Sequence, residues 1–109
     1  MTGQADPAPD LEALLREAAG ELEDVLAGPG DSGTVFTIDG RLFAVAAAGL
    51  AEFRLDPPVA AAALRTPDAR PSPRGAGWVA FRPAELDRHA LDRATAWLAS
   101  AWRRADGEG

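Results

Sequence analysis

Cysteine, tyrosine and lysine are missing from these 109 residues, and histidine and methionine occur once each. Without cysteine the chain has no disulfide, no thiolate nucleophile and no cysteine-held metal. With His89 as the lone imidazole, a metal would have to rest on carboxylates. General acid–base work would fall to Asp or Glu, and no pair of these stands out. No stretch approaches the roughly 18 apolar residues needed to span a membrane. Residues 1–10 are polar, with Pro7 and Pro9 and none of the apolar run of a signal peptide. These absences lead to the expectation of a cytoplasmic protein that is not an enzyme, carries no cofactor and binds no membrane.

What is present is charge, unevenly placed. The net charge is −6. Residues 1–33 hold eight acids against Arg16, a local balance of −7, whereas the remainder carries nine acids against ten arginines. An acidic balance argues against general binding to a phosphate backbone, which needs a basic footprint. The length suits one small domain with a single core, although alanine supplies much of the apolar content and that core is expected to be thin.

The stretch Gly75-Ala76-Gly77-Trp78-Val79-Ala80-Phe81-Arg82-Pro83 organises the chain. Glycines open it, proline closes it, and Trp, Val and Phe between them favour a half-buried strand. Alternation puts Val79 and Phe81 on one face, and Trp78, Ala80 and Arg82 on the other. Before it, residues 1–9 read as a disordered tail. Asp10 caps a helix whose apolar residues recur from Leu11 to Leu26, until Gly28-Pro29-Gly30 stops it.

Two β-rich runs, 34–38 and 41–46, flank Asp39-Gly40, the pair suited to the positive φ angles of a type I′ hairpin. A third strand covers 50–55. Asp56 and Pro57 open a short alanine-rich helix, 68–74 forms a proline-bearing edge strand or a loop, and a long helix spans 84–105 before a frayed tail at 106–109. The order is helix, three strands, helix, two strands, helix: a two-layer α+β domain, 10–105, with one antiparallel sheet. Helices pack one face and the other is left open.

Candidate chemistry is sparse. Gly28-Pro29-Gly30-Asp31-Ser32-Gly33 matches a G-x-G-x-x-G pattern, but a dinucleotide fingerprint needs a strand before it and a helix after it, and here the order reads helix then strand. Glu85, His89 and Asp92, at i, i+4 and i+7, share one helical face that suits a divalent metal or, equally, solvent and the neighbouring Arg88 and Arg93. Ser32, Ser72 and Ser100 lack a nucleophile-elbow context, and Ser100 would lie roughly 16 Å along the helix from His89. No catalytic, cofactor or metal residue is assigned. Trp97 and Trp102 fall on the apolar stripe of the last helix and belong to the core.

The open sheet face carries the strongest signal. Glu52, Arg54, Trp78 and Arg82, joined by Thr37 if it too points outward, set an indole beside two guanidiniums. Such a surface can anchor a protein interface or stack a planar ligand. Arg65, Arg70 and Arg74 would extend its basic side through the proline loop.

On these residues the chain resembles the MmcQ/YjbR-like family of small bacterial proteins. The resemblance rests on Val35-Phe36-Thr37-Ile38-Asp39-Gly40-Arg41-Leu42-Phe43-Ala44, on Phe53-Arg54-Leu55-Asp56-Pro57 entering an alanine-rich helix, and on Gly77-Trp78-Val79 with a last helix ending in Ala101-Trp102-Arg103. A group of small actinobacterial proteins labelled luciferase-like is similar in its Gly-Trp-Val strand. The family's lysines are arginine or absent here, and Pro71-Ser72-Pro73 replaces the aromatic and histidine residues often found before its tryptophan strand. The resemblance implies a secretion-chaperone-like fold, and a DNA-binding role that has been suggested for the family by shape.

The function expected is therefore binding of a protein partner, or of a second copy, through the open sheet face. The alternatives are nucleic-acid binding through the arginines of the face and loop, and a small-molecule binder or enzyme using the cleft between the short helix and the sheet.

Overall fold

The computed structural model describes residues 10–31 and 33–108. The expected tail at 1–9, Ser32 and Gly109 lie outside the described residues. In chain order the elements are α1 (Leu11–Ala19), β1 (Val25–Pro29), β2 (Thr34–Ile38), β3 (Arg41–Ala46), β4 (Ala51–Arg54), α2 (Pro57–Ala63), β5 (Ala69–Pro71), β6 (Trp78–Phe81) and α3 (Arg88–Gly107). The six strands form one sheet in the order β1-β2-β3-β4-β6-β5, every neighbouring pair antiparallel. This is the α+β class expected, with one strand more.

The extra strand comes from the expected first helix. Asp10 caps α1 through its carboxylate, which accepts from Ala13 N at 2.7 Å, but the helix ends at Ala19 instead of reaching Leu26. Gly20 is a poor helix interior residue, and Asp24 turns the chain with a φ of 63°. The indole of Trp102 then donates to Glu23 O at 3.0 Å, fixing the turn. Leu22 and Val25 pack against the core, as a helix would also have placed them. Leu26 is 71% exposed, which a helical stripe would not allow. Gly28 and Pro29 sit inside this strand because it is an edge, where proline costs no ladder donor.

The β2–β3 hairpin turns through Asp39 at φ 49° and Gly40 at φ 78°, the backbone that Asp-Gly was expected to supply. Gly40→Ala forces a Cβ into that left-handed region and is expected to cost about 1 kcal/mol, read from the urea midpoint. At the other end of β2, a Cβ on Gly33 would stand 2.1 Å from Ala46 O, a backbone atom that cannot swing aside. Gly33→Ala is therefore expected to lose about 1–2 kcal/mol. A variant as stable as the parent would mean that the two backbones are not in such close contact.

One side of the sheet is the core. Phe36, Ala44, Phe53 and Val79 stand in register across β2, β3, β4 and β6. A bulge at Phe36/Thr37 adds Phe43, so two successive residues of β3 join the same cluster. All four phenylalanines are fully buried there. Helix α3 presents Ala90, Ala94, Leu98, Ala101 and Ala105 to them, a mostly alanine face that lets helix and sheet approach closely. Trp97 meets Phe53 and Phe81 edge-on, with ring centroids 6.1 and 5.1 Å apart. Trp97 and Trp102 are partly buried against this core, as expected.

Leu11, Leu15 and Ala19 of α1, and Ala60 and Ala63 of α2, feed the same cluster. Among the described residues, all three helices thus lie on one side of the sheet, and none is long and apolar enough to cross a membrane. Helix α3 runs to Gly107, so Asp106 and Gly107 are helical and Glu108 caps the helix, where a frayed tail was expected. The reason is electrostatic: the Glu108 carboxylate lies 3.0 Å from Arg54 and 3.4 Å from Arg104. Arg104 Nε also lies 3.2 Å from Asp56 Oδ1, an ion-pair distance whose angle falls short of a hydrogen bond. Arg41 donates twice to Ala105 O, at 3.1 and 2.8 Å, satisfying a terminal helix carbonyl.

At the far edge, β5 offers no outward main-chain donor. Ala69 N is bonded to Thr66 O, Ser72 N to Trp78 O and Arg74 N to Ser72 Oγ. Arg70 faces Ala80 between the flanking bonds of the ladder, and Pro71 and Pro73 have no N–H.

Candidate functional site on the outer sheet face

Register assigns the residues that face away from the helices. Val35, Val45, Glu52, Ala80 and Arg70 form one row across β2, β3, β4, β6 and β5. Arg54 pairs with Trp78 in a second row, and Leu26, Thr37 and Leu42 form a third at the β1 end. Thr37 does point outward, since Phe36 and Ile38 on either side are buried. Strands β3 and β4 separate it from the indole of β6, so it does not join the Trp78 group.

The face is less bare than its residue types imply. Glu52 is only 9% exposed although no helix covers it. The segment 71–74 folds over it: the hydroxyl of the buried Ser72 donates to Oε2, and Arg74 Nε donates to Oε1 at 3.0 Å. Arg74 also lies over the Trp78 ring, its Cζ 5.6 Å from the centroid, a cation–π contact. One side of the half-buried indole is therefore already taken. Arg54 is drawn to Glu108. Two guanidiniums expected to stand free, those of Arg54 and Arg74, are thus neutralised by carboxylates that a local reading of the sequence does not bring near them.

Arg70 and Arg82 differ. Both are exposed, and among the described residues neither makes an ion pair. They flank a concavity of about 620 Å³ whose apolar lining is Leu50, Pro71, Pro73 and Ala80. Glu52 forms part of its wall, with Asp68 on the rim. Asp68 adopts a φ of 70° and is occupied by the main chain: its carbonyl accepts from Arg82 N at 2.9 Å and its carboxylate from Ala84 N at 3.1 Å. Arg65 is exposed just past the end of α2 and does not line the concavity. Leu50, Asp68, Pro71, Ser72 and Pro73 at this concavity are residues that the sequence pattern alone does not single out for a site.

The remaining candidates dissolve. Helix α3 starts at Arg88, capped by Asp87 accepting from Ala90 N at 2.9 Å, so Glu85 precedes the helix and shares no helical face with His89 and Asp92. Among the described residues no group of three His, Cys, Asp or Glu side chains is placed to hold a metal. The G-x-G-x-x-G segment connects two antiparallel strands, with Gly30 N donating to Gly33 O at 2.7 Å, and no helix follows to receive a phosphate. No family model, curated protein or solved structure matches the chain.

Proposed function

We propose that the chain is a non-enzymatic, cytoplasmic binding protein that uses its outer sheet face to hold a protein partner or a second copy of itself. One observation carries this reading: all three helices pack on the same side of a six-stranded sheet. The other side keeps Trp78 half-buried and Leu26 exposed, with Val35 and Leu42 between them along the sheet. An antiparallel sheet of this length with one face free of helices and partly apolar has the makings of an interface core, with aromatic and arginine anchors.

The resemblance to the MmcQ/YjbR-like family adds a secretion-chaperone-like architecture to this reading and no chemistry. Nucleic-acid binding ranks below it, because the net charge is −6 and Arg54 and Arg74 are held by Glu108 and Glu52.

For the version with a second copy, sedimentation velocity should show association that rises with concentration. Trp78→Ala and Arg82→Glu are each expected to weaken it by about tenfold, the scale of an interface anchor, with helical circular dichroism unchanged. A parent chain that stays monomeric at high concentration would sink self-association. Oligonucleotide binding that falls steeply as salt rises would favour the nucleic-acid reading instead.

A further inference from the structure

The concavity between β5 and β6 has a chemistry of its own, independent of what covers the rest of the face. Arg70 and Arg82 are diagonal neighbours on one face, since Arg70 pairs with Ala80 and Arg82 follows two residues later. Cross-strand diagonals lie about 7–8 Å apart, near enough for two guanidiniums to close on one anionic group. Ala80 supplies the depth, because a larger side chain at that point would fill the hollow between Glu52 and Arg70. Leu50, Pro71 and Pro73 give it apolar sides.

Its charge is also set apart from that of the chain. The acids at the site are engaged, Glu52 by Ser72 and Arg74 and Asp68 by the amide of Ala84. Arg70, Arg74 and Arg82 against Glu52 and Asp68 leave the site at +1, in a protein whose net charge is −6. The wall is fixed by a buried polar network, and such networks serve better to define geometry than to add stability. At about 620 Å³ the volume falls within the ~300–1,000 Å³ of small-molecule sites.

We propose that this concavity binds a small organic anion, a carboxylate or phosphate monoester carried on an apolar body. The guanidiniums of Arg70 and Arg82 hold the anionic group, and Leu50, Ala80 and the two prolines hold the body. Arginine suits the task because its planar fork matches both anions bidentately.

The test is an amide-resolved NMR titration of the full chain with phenyl phosphate, benzoate, benzyl alcohol and inorganic phosphate. Either aromatic anion should shift the Leu50, Arg70, Ala80 and Arg82 amides in a saturable way. Benzyl alcohol should leave them in place. Inorganic phosphate, lacking the apolar body, should bind about tenfold more weakly, the equivalent of about 1.4 kcal/mol. The double variant R70Q/R82Q, which alters only exposed side chains, should weaken phenyl phosphate by at least about tenfold. Ala80→Phe should do the same with both charges retained. A dispersed spectrum in each variant confirms that the fold survives.

A preference for phenyl phosphate over benzoate identifies phosphate monoesters as the ligand source, and the reverse identifies carboxylates. Four outcomes overturn the proposal: no local shift with either anion, equal shifts with benzyl alcohol, unchanged binding in R70Q/R82Q, or these amides responding to an oligonucleotide or acidic peptide but not to the small anions. Self-association is read separately by sedimentation, so either reading can fail alone.

Discussion

Replacing Phe53 with alanine is expected to remove about 3–5 kcal/mol of folding stability, the usual cost of deleting a buried aromatic ring. Phe53 is fully buried at the middle of β4, between Ala44 and Val79 in the ladder and edge-on to Trp97. The alanine-rich helix opposite can fill little of the space, while Trp97, edge-on to the ring, can close part of it. The facing helix offers Ala90, Ala94 and Ala101, methyl groups with no rotamer that reaches into the vacated volume.

For a domain whose total stability is about 5–15 kcal/mol, this is about a fifth of it or more. The melting temperature should fall by roughly 12–40 °C, from about 4–8 °C per kcal/mol at this size. Phe53→Leu, which keeps most of the volume, should cost about 1.5 kcal/mol or less. Urea denaturation with an unchanged slope is the measurement. A loss below the leucine value in the alanine variant would mean that the phenylalanine row is not the centre of the core.

The second large effect is expected at Glu52. Glu52→Leu keeps the side-chain volume but strips Ser72 and Arg74 of their acceptor, at about 2–3 kcal/mol, the cost of leaving a buried polar group without its partner. The figure stays at that level because the Arg74 side chain is 37% exposed and can return to water, whereas the Ser72 hydroxyl is buried and cannot. Adding Ser72→Ala to Glu52→Leu removes both partners of the buried bond but also takes Ser72 Oγ from Arg74 N, so the two losses should fall short of additive by about 1 kcal/mol rather than cancel. Hydrogen exchange at the Ser72 amide, bonded to Trp78 O, should speed up in Glu52→Leu as the covering segment loosens. Strictly additive losses in the double variant would contradict the network.

The parts of the fold legible in the sequence are those that depend on near neighbours. Asp39-Gly40 specified its own turn, and alternation in Phe53–Leu55 and Val79–Phe81 specified which side of β4 and β6 is buried. Residues 20–29 were misread for a physical reason. Leu22, Val25 and Leu26 satisfy helical spacing, and the pattern reveals neither the turn at Asp24 nor the exposed position of Leu26 that mark a strand. The start of α3 was readable from Asp87, a good cap followed by Ala90. Extending the helix back to 84 created a metal-like face that does not exist.

The candidate site was half legible. Trp78, Arg82 and Glu52 do lie on the outer face. Which arginines stand free was not, because Glu52 meets Ser72 and Arg74 across the β4–β6–β5 register, and Arg54 meets Glu108 from the opposite end of the chain. Those pairings are consequences of topology, and no local window of sequence contains them.

The proline-bearing rim at β5 also sets a limit on how copies of this chain can be strung together. A ladder with bonds running both ways needs donors and acceptors on each border, and among the described residues the edge strand that offers both is β1. Two copies joined there would use up that border on both, so pairing of the two-way kind favours a pair over a longer stack. Any addition at β5 would have to rest on its carbonyls alone, a weaker edge than the one at β1.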